Sequence, residues 1–219
     1  MGGGSRKKEN IHLAFECNPL SEISDPNCPP GSLMSSEQRK KWNQRYAKRG
    51  PDATVPSPWL ATVGPLLPPA GTALDVAGGA GRHAVWLAQR GLAVTIADIA
   101  EVGLELARDT AAAGNLEIST VTVDLESESL PAGPWDVILN TSYLHRPLMT
   151  QFSTQLKPGG VLIIVHPTRA NLERHSHPSA RFLLENNELP TLIKDLEIIR
   201  YEEGWLDGRH EAKLVARKP

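Results

Sequence analysis

The chain has 219 residues, a formal net charge of -2 and 40% hydrophobic residues, the size and balance of one globular domain with a full core. That charge gives no whole-chain reason to expect nucleic acid or an anionic membrane as partner, and no apolar run reaches the ~20 residues of a membrane span. The N-terminus lacks an apolar signal core and carries Glu9 and Glu16, which argues against a transit peptide. Both cysteines, Cys17 and Cys28, precede the first expected helix, so the core needs no disulfide and the chain reads as cytoplasmic.

Residues 1–34 are expected to be a flexible tail or a cloning-derived segment: MGGGS resembles a scar, and DPNCPPGS is rich in turn formers. His12, Cys17 and Cys28 match no zinc spacing and lack a fourth ligand, so no metal is expected. Residues 35–219 form the domain. Ser35 or Ser36 caps a helix that runs to about Lys48 and is stopped by Gly50-Pro51. A second short helix starts near Pro58 and holds Trp59, Leu60, Val63 and Leu67. These two helices are placed to cover the carboxyl edge of a sheet. Trp42 and Tyr46 read either as core packing on an amphipathic helix or, with Arg45 beside them, as ligand contacts.

Thr72 to Asp98 organises the rest. Leu74 and Val76 flank Asp75 in a β-prone run; Gly78, Gly79 and Gly81 let the backbone turn sharply and approach a ligand; Arg82 to Arg90 has helical apolar spacing; Ala93 to Ala97 is a buried strand with Asp98 at its tip. An acid about 20 residues past a glycine turn accepts hydrogen bonds from ribose hydroxyls. The element is therefore a nucleoside half-site.

A helix over Glu101–Ala113 follows, then strands over Glu117–Val123 and Pro134–Leu139, the string Asn140-Thr141-Ser142-Tyr143-Leu144-His145-Arg146, and a helix from Pro147 to about Leu156. LKPGG reads as a helix stop and turn, and Val161–Val165 as an apolar strand with His166 at its tip. Thr168–Ala180 reads either as an active-site lid or as a solvated loop. A helix over Glu185–Lys194 and strands over Leu196–Tyr201 and Ala212–Ala216 complete the chain, with Asp207-Gly208 as a hairpin signal. The fold class is α/β: a doubly wound, mostly parallel seven-stranded sheet with an antiparallel C-terminal hairpin.

Gly79 to Ala84 also satisfies G-x-G-x-x-A, so a dinucleotide-binding dehydrogenase competes. Three features weigh against it. A carboxylate at Asp75 repels a pyrophosphate and suits a cationic ligand end. Asp124 brings a third acid to the same edge, as an acceptor for an adenine amino group. The final hairpin departs from an all-parallel dinucleotide fold.

LDVAGGAGRHAVWLA, TIAD, VDLE, WDVILNTSYLHRPL and LKPGG, in this order and spacing, resemble the class I S-adenosylmethionine-dependent methyltransferases, over roughly Ser35 to Pro219. WNQRY and YLHRPL further resemble the small methyltransferases grouped with tellurite-resistance proteins. Ala77 stands where the family usually has its first glycine; being small, it is expected to leave the pocket intact at a strand end. The resemblance implies a Rossmann-like methyltransferase fold and S-adenosyl-L-methionine as cofactor. It implies that Gly79 and Gly81 approach the cofactor beside Ala77 and that Asp98, with Ile99 next to it, binds the ribose. Asp124 accepts from the adenine amino group with Leu125 packed on the ring. Asp75 and the backbone near Asn140 lie by the methionine amino group. Arg45 meets the methionine carboxylate, and Tyr46 closes over that end. Tyr143, His145 and Arg146 stand near the transferred methyl: His145 is either a base or a structural histidine, and Arg146 either binds an anionic substrate or fixes its helix. The acceptor is read as a small molecule, a thiol or chalcogen oxyanion first and a natural-product hydroxyl or amine second. A non-catalytic cofactor-binding regulator is the reading from another class.

Overall fold

The computed structural model describes residues 32–50 and 56–219; the expected tail, with His12, Cys17 and Cys28, lies outside the described residues. Seven strands form one sheet: β1 (Gly71–Val76), β2 (Leu92–Asp98), β3 (Ile118–Thr122), β4 (Trp135–Thr141), β5 (Leu156–Pro167), β6 (Glu197–Leu206) and β7 (Arg209–Arg217). Their spatial order is β3-β2-β1-β4-β5-β7-β6. The first five run parallel, and β7 inserts antiparallel between β5 and β6. The central strands are apolar on both faces because helices cover both; Leu74, Ile96, Ile138, Leu139, Ile163 and Leu162 are fully buried. The chain winds first one way from β1 and then the other, so the order reverses between β1 and β4, where open α/β sheets bind ligands.

The helices are α1 (Ser32–Arg49), α2 (Pro58–Val63), α3 (Arg82–Ala88), α4 (Glu101–Ala113), α5 (Arg146–Met149), α6 (Phe152–Gln155) and α7 (Leu189–Leu192). Several differ from the sequence expectation, each for a local reason. α1 begins at Ser32, so Ser35 lies inside it and hydrogen-bonds Asp124 instead of capping. The helix expected from Pro147 to Leu156 is two single turns, α5 and α6. Thr150 and Thr154 donate to the Pro147 and Gln151 carbonyls at 2.8 Å each, competing with a continuous ladder. The expected 185–194 helix shrinks to α7, bracketed by left-handed Asn187 and Asp195 (φ 59° at both).

LKPGG is the start of β5 rather than a turn. The reason lies at the chain's far end: Gly159 N–H donates to Lys218 O and Lys218 N–H to Gly160 O, both at 2.9 Å. β6 and β7 both run up to the Asp207-Gly208 turn, whose two left-handed residues suit a tight hairpin. The segment after β5 is neither a lid nor a free loop. Thr168 Oγ1 hydrogen-bonds His210 Nδ1 at 2.7 Å, Asn171 Oδ1 accepts His210 N–H at 3.1 Å, and the Arg174 guanidinium sits 3.7 Å from the Trp205 ring centre. It is fastened to the hairpin and lines no part of the cavity described below.

Gly81 caps α3 in the left-handed region (φ 77°), and a Cβ there would lie 2.6 Å from Ala107 Cβ of α4. Gly81→Ala is therefore expected to destabilise by about 2–4 kcal/mol, from backbone strain plus overpacking. Urea unfolding measures this, and an unchanged midpoint would show that α3 and α4 are not tightly packed there.

Candidate active site

A cavity of about 230 Å³ opens at the carboxyl edge of the sheet. Its walls come from distant stretches of chain. Gln38, Trp42, Arg45, Tyr46 and Arg49 form one face of α1; Ala77, Gly78, Arg82 and His83 come from the glycine turn and α3; Asp98 and Ile99 follow β2. Val123, Asp124, Leu125 and Glu126 follow β3, Thr141, Ser142 and Tyr143 end β4, and Arg209 opens β7. Of the residues singled out from the sequence, Arg45, Tyr46, Ala77, Asp98, Ile99, Asp124, Leu125 and Tyr143 are thus brought together.

The glycine turn is built by acids. Asp98, 6% exposed, accepts from Gly79 N–H through Oδ2 and from Ala100 N–H through Oδ1, each at 2.9 Å. Burial still pushes its carboxyl above the usual range, with the Ala100, Gly79 and Ile99 amides opposing. Ala77 is not at a relaxed strand end: it is left-handed (φ 52°), a conformation costing a non-glycine residue roughly 1–2 kcal/mol. Its methyl group forms part of the cavity wall, so the pocket persists despite the missing glycine.

Asp75 lies behind this wall. It is fully buried, and a Cβ on Gly78 would come 2.6 Å from its Oδ2. Neither carboxylate oxygen has a partner in full hydrogen-bond geometry, though the Ala84 amide lies close enough to act on it. Burial first, and the Asp98 charge second, push its carboxyl up to about 7; the Ala84 amide and Arg82 offset only part. At Asp124, burial pushes the carboxyl up. Hydrogen bonds from Ser35, the Glu126 amide and Ser127, with Arg39 nearby, win and hold it below the usual range. The Glu126 amide donates at 3.1 Å and the Ser127 hydroxyl at 2.9 Å.

α1 is keyed onto the domain by polar and steric contacts. Asn43 accepts from Val102 N–H at 3.0 Å and donates to Glu101 at 2.9 Å, so it caps α4 from outside. The Tyr46 ring lies in a slot between Gly79 and Gly103; a Cβ on Gly103 would sit 2.9 Å from its Cδ2, and one on Gly79 would collide with its phenol oxygen. Tyr46 stacks on Trp42 with ring centres 6.0 Å apart, and the Arg45 guanidinium lies 4.9 Å from the Trp42 ring centre. The aromatics of this helix pack on each other and also line the cavity. Gly79's open face is therefore taken by Tyr46, while Gly81 faces Ala107.

Around the β4 tip the structure separates the candidates. Tyr143 lines the cavity with its hydroxyl buried and unpartnered; burial, then the Glu126, Asp124 and Asp98 charges, raise its phenol well above the usual range, so it stays protonated. His145 stands at the N-cap position of α5 without a side-chain capping hydrogen bond, and it does not line the cavity. Arg146 does not either: it donates to Glu188 at 2.6 and 2.8 Å and to the Leu183 carbonyl, which fixes its segment against the one before α7. Asn140 is buried beside the cavity with Oδ1 unpartnered. His166 is structural, its Nε2 bonded to the Phe182 carbonyl at 2.9 Å and burial pushing its pKa down to about 4.

Sequence reasoning missed His83, Thr141, Arg49, Glu126 and Arg209 as lining residues. His83 sat inside the glycine string and was legible there only as a helix residue; Arg209 is far away in sequence and gave no signal. Among the described residues no cluster of three His, Cys, Asp or Glu side chains is arranged to hold a metal, and no helix is long and apolar enough to cross a membrane. Of the buried, unpartnered side-chain atoms, those of His83 and Tyr143 belong to residues that line the cavity, while those of Asp75 and Asn140 belong to residues outside its lining.

Asp75→Asn separates stability from binding. A carboxyl raised in the folded state binds its proton more tightly there than when unfolded. Wild-type stability should thus fall as pH rises from about 4 to about 7, by on the order of a few kcal/mol. The ligand-free variant should lose that slope and melt higher than wild type at pH 8, as read by thermal scans across pH. An unchanged slope would show that Asp75 is not the group responsible.

A sequence-family profile described as a methyltransferase domain matches residues 73–160. No curated protein sequence matches significantly. Among solved structures, TehB from Haemophilus influenzae is 22% identical with a TM-score of 0.65, over 81% of this chain and 67% of that one. Magnesium protoporphyrin IX methyltransferase from Synechocystis PCC 6803, with S-adenosylhomocysteine (SAH) bound, is 16% identical with a TM-score of 0.64, over 84% and 99%. A TehB-like S-adenosylmethionine-dependent methyltransferase from Corynebacterium glutamicum is 16% identical with a TM-score of 0.57, over 85% and 99%. With the strand order and the matched profile together, the chain has the class I methyltransferase fold, and its residues 73–160 match a methyltransferase domain.

Proposed function

We propose that the domain methylates a small anionic or soft nucleophile, a thiol or chalcogen oxyanion. The observation that carries this reading is the charge of the cavity wall: the guanidinium groups of Arg45, Arg49, Arg82 and Arg209 against the carboxylates of Asp98, Asp124 and Glu126. One arginine, Arg45 in our assignment, serves the methionine carboxylate. Arg82, next to His83 in the wall, suits an acceptor that brings negative charge of its own. A natural-product hydroxyl or amine is the second reading. The described residues contain no cysteine, in keeping with a cytoplasmic protein.

S-adenosylmethionine supplies an electrophilic methyl carbon on a good leaving group, so the work of the chain is alignment. Asp98, already holding two backbone amides, offers its remaining lone pairs to the ribose hydroxyls. Asp124 accepts from the adenine amino group, with Leu125 and Ile99 against the ring. Asp75, with the Asn140 backbone, is assigned to the methionine ammonium from behind the cavity wall, since neither residue lines the cavity itself. Tyr46, seated in its glycine slot, sets how closely α1 approaches that end. Tyr143, kept protonated, acts as a donor and not as a base.

Calorimetric titration with S-adenosylmethionine, SAH and NAD in parallel tests the cofactor assignment. The two adenosyl ligands should bind and NAD should not; NAD alone binding would overturn the reading of Asp75 and Asp124. Asp98→Ala should weaken SAH at least about tenfold, the loss of hydrogen bonds to a charged acceptor, and unchanged affinity would sink the ribose assignment. Release of homocysteine with thiols and with chalcogen oxyanions as acceptors should exceed that with neutral alcohols. No turnover with any acceptor class would favour a non-catalytic binding protein.

A further inference from the structure

We propose that the Thr141 hydroxyl, held by His83, is the group that meets the methyl acceptor at the reacting carbon, with His83 as its positioning residue. The proposal rests on the methyltransferase reading of the cavity and assigns the end of it that the nucleoside contacts leave over.

The sheet order reverses between β1 and β4, which divides the cavity. The β2 and β3 side carries Asp98, Asp124 and Leu125, the nucleoside half. The β4 side carries Thr141 and Tyr143, with His83 reaching across from the first turn of α3. His83 Nδ1 and Thr141 Oγ1 are hydrogen-bonded at 3.0 Å although 58 residues apart, and both line the cavity. His83 is 7% exposed, and its Nε2 is buried with no partner. A buried ring nitrogen left unsatisfied costs free energy unless a ligand uses it. Meanwhile His145 and Arg146 lie outside the cavity lining, so His83 is the cavity's histidine.

His83 does not store the acceptor's proton. Burial, with Arg82 adding its charge, pushes the imidazole down to about 3 and keeps it neutral. Its role is to fix Oγ1: with the ring proton on Nδ1 it donates to Oγ1, which leaves the Thr141 hydroxyl proton for an anionic acceptor and one lone pair for a cationic group. An acceptor served this way arrives with its own lone pair unprotonated. For a thiolate, the new C–S bond forms as the methyl–sulfonium bond breaks, that electron pair returns to the cofactor sulfur, and no proton is released.

Sinefungin tests this without knowledge of the acceptor, because it carries an amine at the reacting position where SAH carries nothing. By calorimetry the wild-type protein should prefer sinefungin over SAH by about tenfold. Thr141→Val should abolish the preference while SAH affinity stays within about threefold, and Thr141→Ser should restore it. His83→Phe, which keeps ring volume and removes Nδ1, should cut the preference at least threefold and provides an independent variant if Thr141→Val is unstable. A preference absent in wild type, or surviving in both variants, equal weakening of the two ligands included, would overturn the proposal. Failure of both ligands to bind wild type would instead overturn the methyltransferase reading beneath it.

Discussion

The site depends on one carboxylate shared between two backbone amides. Asp98 ends β2, and its oxygens hold Gly79 of the turn after β1 and Ala100 at the start of α4. Hydrogen bonds to a charged group are worth more than neutral ones, about 1.5–3 kcal/mol each, and here they lock three elements at one point. With the turn fixed, Gly79 and Gly103 stand opposite each other and the Tyr46 slot exists. With the slot in place, α1 has a register, and with α1 seated the cavity has a wall. The acid that binds the ribose in our assignment is thus also the acid that assembles the pocket.

The two edges of the sheet treat their acids differently. At the amino edge, Asp136 accepts from Thr72 N–H at 2.7 Å, from its hydroxyl at 3.0 Å and from Lys157 Nζ at 2.6 Å. Burial pushes its carboxyl up, but these partners hold it below the usual range. At the carboxyl edge, Asp75 is more deeply buried and has no such partners. An acid satisfied by its own chain stitches strands together. An acid left unsatisfied in the interior is a cost that is offset by taking up a proton or by a ligand.

The parallel core was legible because its signals are local. The glycine turn, the apolar runs and the acids at strand tips all lie within single stretches, and the Asp207-Gly208 hairpin announced its own turn. What escaped depends on partners far along the chain. LKPGG has turn composition but becomes strand because Lys218 pairs with it. Arg146 has the residue type of a catalytic cation but is taken by Glu188, 42 residues on. His83 looked like helix filling until Thr141 was brought against it. The segment after β5 has the composition of a lid, yet the Thr168, Asn171 and His210 network fastens it down. Ala77 lines the cavity, but its left-handed backbone could not be seen in its size.

Gly103 carries a consequence for anyone who would stabilise the protein. It sits inside α4, where glycine gives away about 1 kcal/mol of helix propensity against alanine. A design scheme that replaces helical glycines with alanine would choose this position early. The added methyl would strengthen α4 as an isolated helix and press against the Tyr46 ring, unseating the register of α1 and with it one wall of the cavity. Secondary-structure propensity and the assembly of the pocket pull in opposite directions at this residue, and a melting temperature alone would report only their sum.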